Sequence, residues 1–144
     1  MRFGWLVEVT ALSTALEEFT LRIGLSDTSN GVDGDPNAIL FRYNHGVNGG
    51  RWELVCHSAT VESVADSGVA VAVAWQFLEA EVNAAGTSVQ FYIDGTAVGA
   101  PITTNIPATS MTIGAGIAKA VGIGTRTIRA DFCYVDKGFS PARG

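Results

Sequence analysis

From Asn83 to Gly99 the chain reads NAAGTSVQFYIDGTAVG: a turn, an alternating run, a second turn and a returning run. Gly86 and the Asp94-Gly95 pair offer the positive φ that tight β turns demand, and Asn83 and Asp94 can bond to neighbouring backbone. Val89, Phe91 and Ile93 point to one side of this ribbon, while Gln90, Tyr92 and Asp94 point to the other. The same grammar recurs along the sequence, and helical periodicity is almost absent. The single helix-like patch, Ser13-Thr14-Ala15-Leu16-Glu17-Glu18, supports at most one capped helical turn.

Besides the returning run after Gly95, strands are expected at about 3–11, 20–26, 39–44, 51–58, 60–65, 74–83, 89–94, 110–119 and 125–135. Leu78, Ala80 and Val82 alternate with Glu79 and Glu81. In the last run Ile128, Ala130, Phe132 and Tyr134 alternate with Arg129, Asp131 and Cys133. Many strands with one apolar and one polar face pack as an all-β, antiparallel two-sheet β-sandwich. At 144 residues a single domain is expected, spanning 1–137, with 138–144 a short C-terminal tail.

Charged residues make up only 16% of the chain, against about 25% in an average soluble domain, so neutral surface is left over for a partner. The net charge is −5 and the nine Lys and Arg are scattered, which argues against nucleic acid as a partner. No apolar run reaches the roughly 18–20 residues of a membrane-spanning helix, and Arg2 followed by Glu8 in an alternating pattern does not read as a leader. Cys56 and Cys133 read as core thiols in strands, and whether they pair is left open by the spacing.

The stretch 75–83 (WQFLEAEVN) followed by 86–95 (GTSVQFYIDG) resembles the central hairpin of concanavalin A-like, or laminin-G-like, jelly rolls. Together with 23–27 (IGLSD), 39–43 (ILFRY), 103–107 (TTNIP) and 126–132 (RTIRADF), it is similar to jelly-roll domains of tailed-bacteriophage structural proteins. The resemblance implies a jelly roll on the virion surface: a capsid-decorating (cement) protein or a fibre-head module, non-enzymatic, docking to capsid or tail proteins as a homo-oligomer such as a trimer. Such domains carry sequence ahead of the strand at 3–11. Without it that strand would be an open sheet edge, and a neighbouring chain is expected to cover it.

A lectin-like carbohydrate-binding module, recognising a host glycan, is the alternative reading. Its candidate platform is the hairpin holding Tyr43, Asn44, His45, Asn48 and Trp52, where rings would stack on sugar faces and Asn and His would bond to hydroxyls. A glycoside hydrolase stands third. Glu79 and Glu81 share a face, yet no third carboxylate follows in the spacing that polysaccharide hydrolases of this fold use, so a solvated pair is expected and no catalysis. His57 beside Cys56 has no triad partner. Asp27, Asp33 and Asp35 lie in an oxygen-rich loop that suits either Ca²⁺ or plain turn geometry, and no cofactor is otherwise expected. Gly114-Ala115-Gly116 and Gly122-Ile123-Gly124 lack the pattern of a phosphate-cradling loop.

Overall fold

The computed structural model describes residues 1–28 and 36–137. Among these described residues ten strands run in chain order: β1 (Arg2–Val9), β2 (Phe19–Ser26), β3 (Ala38–Asn44), β4 (Arg51–Ser58), β5 (Val61–Ala70), β6 (Trp75–Val82), β7 (Val89–Ile93), β8 (Thr96–Ile102), β9 (Thr112–Lys119) and β10 (Ile128–Asp136). Sheet I has the order β10-β1-β6-β7-β8 and sheet II the order β5-β4-β3-β2-β9, all antiparallel. The expected two-sheet jelly roll is therefore the observed one. The fifth expected strand runs on to Ala70, and the returning run after Gly95 is the full strand β8.

Turn chemistry sets the registers. Asp94 and Gly95 sit at φ 51° and 76°, both positive, as a two-residue turn between twisted strands requires. The Asn83 side-chain oxygen accepts from the Thr87 amide at 2.8 Å and closes the β6–β7 turn. The patch at 13–18 is not a helical turn. Thr14 and Glu17 exchange backbone bonds of 2.9 and 3.3 Å, and the Ser13 hydroxyl accepts from the Phe19 amide at 3.1 Å, so that hydroxyl anchors β2 instead of capping a helix.

Alternation buries one face of each sheet between the layers. Phe3, Phe19, Phe41, Trp52 and Phe91 are fully enclosed, each contributing roughly 1.5–3 kcal/mol by leaving water. Phe41 stands edge-on to both Trp52, at 6.2 Å, and Phe91, at 5.2 Å. The Trp52 indole N–H donates to Gln76 Oε1 at 3.1 Å, satisfying a donor that burial would otherwise strand.

Two expectations need correction. β1 is no edge: β10 pairs on one side and β6 on the other, so the outer strands of sheet I are β10 and β8. And β10 does not alternate cleanly. Val7 pairs with Ala130 but Leu6 with Phe132, so Asp131 is an extra residue at a bulge. A one-residue bulge switches the face of everything beyond it. Ile128 points into the core, whereas Phe132 and Tyr134 lie on the outside of sheet I against Phe77.

Because neighbouring strands are antiparallel, connections after odd-numbered strands gather at one pole and those after even-numbered strands at the other. The outer face of sheet I lies between these poles.

Candidate functional site

Pairing lays the outer face of sheet I out as rows. Tyr134, Gly4, Glu79 and Tyr92 form one row across β10, β1, β6 and β7. Phe132, Leu6 and Phe77 form the next, and Asp136, Arg2, Glu81 and Gln90 flank the first on its other side. Rings are thus concentrated on one open surface. The outward positions of sheet II hold no Phe, Tyr or Trp among the described residues; there Arg42 is clamped at 2.8 Å by both Glu53 and Glu62.

Glu79 is the hub, and it is buried despite pointing outward. Its Oε1 accepts from the Tyr134 hydroxyl at 2.6 Å and from Arg2 Nε at 3.2 Å and Nη2 at 3.0 Å. The Arg2 guanidinium also lies 5.1 Å from the centre of the Tyr92 ring, a cation–π contact. Phe77 packs at 5.6 Å from Phe132 and 6.3 Å from Tyr134. Burial, then the hydrogen bond and charge of Glu79, push the Tyr134 phenol up to about 12, so it stays a protonated donor at neutral pH. The bond to Glu79 in turn raises the Arg2 pKa.

Gly4 makes the row possible. A Cβ there would stand 2.6 Å from Tyr134 Cε1 and 3.0 Å from Glu79 Cγ, so only a residue without a side chain lets the phenol cross β1 to the carboxylate. A glycine inside an otherwise alternating strand was the one sequence signal of this site. Tyr134 and Arg2, 55 and 77 residues from Glu79 along the chain, could not be read from it as that carboxylate's partners.

The hairpin residues expected to form a sugar platform are not brought together on a surface. Tyr43 and Trp52 are core rings, 4% and 0% exposed, and the Tyr43 hydroxyl accepts from the Ser13 amide at 2.9 Å. Both lie on the inward face of sheet II, which turns their rings away from solvent. Asn44 accepts from the Thr20 hydroxyl, His45 lies 3.6 Å from a Glu18 oxygen, and Asn48 occupies a 3₁₀ turn at positive φ. Glu79 and Glu81 are not a solvated pair either, because Tyr134 and Arg2 enclose Glu79 while Glu81 stays exposed.

Asp27 Oδ2 accepts from Asn37 Nδ2 at 2.8 Å, while Asp33, Asp35 and residues 138–144, expected as a tail, fall outside the described residues. Among the described residues no cluster of three His, Cys, Asp or Glu has the arrangement of a metal site, and no helix is long and apolar enough to cross a membrane. Cys56 and Cys133 are both free. Cys56 is a core thiol pushed up to about 12 by burial, but Cys133 is exposed on the edge strand β10.

A two-sheet antiparallel jelly roll of this connectivity defines a concanavalin A-like β-sandwich. Within that class the chain belongs to the SO2946-like C-terminal domain family, whose profile matches residues 1–131. No curated protein matches it significantly.

Solved structures share the fold. A carbohydrate-binding module, CBM66 from Bacillus subtilis, aligns over 90% of this chain and 70% of its own, at 14% identity and a TM-score of 0.53. A native glycosidic hydrolase aligns over 92% and 62%, at 15% and 0.55. A β-glucanase from Bacillus licheniformis aligns over 82% and 51%, at 16% and 0.49, so the chain spans about half the length of that enzyme.

Proposed function

We propose that the chain is a non-catalytic carbohydrate-binding module that holds a glycan on the outer face of sheet I. One observation carries this reading: Phe132, Phe77, Tyr134 and Tyr92 lie on a single open face beside Glu79 and Arg2. Rings present apolar faces to the C–H side of a sugar, while a phenol and a guanidinium, held in place by the buried Glu79, bond to its hydroxyls. The fold likeness to CBM66 supports this alternative over the virion-docking role, for which neither the family match nor the structural neighbours give support.

Binding is favoured over hydrolysis because Glu79 is engaged by Tyr134 and Arg2 and its cross-strand neighbour on β7 is Tyr92, not a second carboxylate. The test is affinity electrophoresis through gels containing soluble neutral polysaccharides. Retardation by at least one of them, abolished by Phe132→Ala with an unchanged circular dichroism spectrum, is expected; equal mobility of both proteins in every gel would refute the assignment.

A further inference from the structure

The rings on the outer face of sheet I do not stop at Phe77. One more outward position of β6 lies beyond it, Trp75, which pairs with Glu8 of β1. Its parity with Phe77 and Glu79 is unbroken, because no register shift interrupts the β1–β6 ladder. Glu8 in turn pairs with Arg129 of β10, whose Nη1 donates to Glu8 Oε2 at 3.0 Å. A further row, Arg129–Glu8–Trp75, therefore extends the face. Trp75 is 46% exposed, whereas Trp52 is enclosed and Trp5 packs against the core.

Along the strands the face is a stripe. Trp75 comes first, then Phe77 with Phe132, then Tyr134 with Tyr92, then Arg2 with Gln90. Successive rows on one face are two residues, or about 7 Å, apart, so the stripe from Trp75 to Glu81 runs about 20 Å. That is several times the width of one pyranose ring. Both ends reach water, since Trp75 at one end and Glu81 at the other are exposed. The charges disfavour an acidic ligand. Arg2 already faces Glu79 and Arg129 already faces Glu8, while Glu81 and Asp136 add negative charge. A uronate or sulfate group would meet more carboxylates than cations here.

We propose that this face binds the interior of a linear, neutral polysaccharide laid along β6, with Trp75 as the ring platform at one end of the track. The inference rests on the sugar-binding reading and deepens it by naming the ligand class and a further specificity-determining residue. A chain end or a single sugar is best held in a walled pocket that closes around its terminal hydroxyls. An open stripe with rings in three successive rows instead offers the same kind of contact to one unit after another.

Affinity gels cast with hydroxyethylcellulose, arabinoxylan, galactomannan or polygalacturonate test the class, and calorimetry with cello-, xylo- and manno-oligosaccharides tests the length. At least one neutral series is expected to bind about tenfold more tightly as hexasaccharide than as disaccharide, and its polymer is expected to saturate with many copies per chain. Loss of one stacking ring in Trp75→Ala should weaken hexasaccharide binding by about fivefold or more and leave disaccharide binding unchanged. Trp75→Tyr keeps a ring there and should retain most of the hexasaccharide affinity. Both variants should keep the wild-type circular dichroism spectrum, because Trp75 lies outside the core. Hexasaccharide binding by Trp75→Ala equal to wild type, affinity independent of length, one copy per polymer chain, or preference for polygalacturonate would each overturn the inference. In all four cases glycan binding lost in Phe132→Ala would leave the sugar-binding reading standing. Wild type that binds none of these polymers or oligosaccharides would overturn both.

Discussion

Replacing Tyr134 by Phe removes one oxygen and keeps the ring that packs on Phe77. What is lost is the 2.6 Å bond to the Glu79 carboxylate. Hydrogen bonds to charged groups contribute roughly 1.5–3 kcal/mol, and because Tyr134 is half-buried and Arg2 remains on the same oxygen, the expected cost is about 1–2 kcal/mol. For a urea m-value of about 2 kcal/mol/M, the middle of the usual range, that moves the unfolding midpoint down by about 0.5–1 M. The pH dependence makes the prediction sharper. An unfolded tyrosine loses its proton near pH 10, whereas Tyr134 in the folded chain holds it to about 12. Folding therefore favours the protonated phenol, and this stabilisation is complete below pH 10 and drains away as pH climbs towards 12. The gap between wild type and Tyr134→Phe should be widest at pH 7 and shrink when urea titrations are repeated at pH 11. A gap under about 0.3 kcal/mol at pH 7, or one independent of pH, would refute the view that Glu79 is held by this phenol.

Two further outcomes follow from other parts of the chain. Lys119 and the Gly124 amide hold the Glu17 carboxyl below its ordinary range, so the brace it forms is intact above that range and is lost as pH falls through the lowered value; Glu17→Gln should speed hydrogen exchange at the Gly124 amide at pH 6, and a Gly124 exchange rate identical to wild type would count against the brace. A disulfide reagent at pH 8 should label Cys133 rapidly in the native protein and Cys56 only on unfolding, because the one is exposed and the other is buried with its thiol pushed up to about 12; native labelling of both at similar rates would contradict the packing.

How much of this was legible in the sequence differs by level. Asp94-Gly95 and Gly86 announced hairpins that the chain indeed makes, and the alternation of Val89, Phe91 and Ile93 named core residues correctly. The hairpin of Tyr43 and Trp52 misled, since aromatic residues near polar loops look alike whether they face sugar or core. In β4 the even positions Trp52, Leu54 and Cys56 share a face, and that face proved to be the buried one. The outward row failed to show for a different reason. Tyr134 appeared to share the face of Ile128, and only the bulge at Asp131 reversed it.

The sequence by itself determined the period-two ribbons, the places where they turn and therefore the two-layer class, since backbone sterics and side-chain alternation act over a few residues at a time. Only the tertiary structure decided that β10 lies against β1, that Gly4 leaves space for a phenol to reach Glu79, and that Arg2 joins them from the far end of the chain. Strand order is set by the summed packing of both layers, and a face composed from three distant strands exists only once that order is in place.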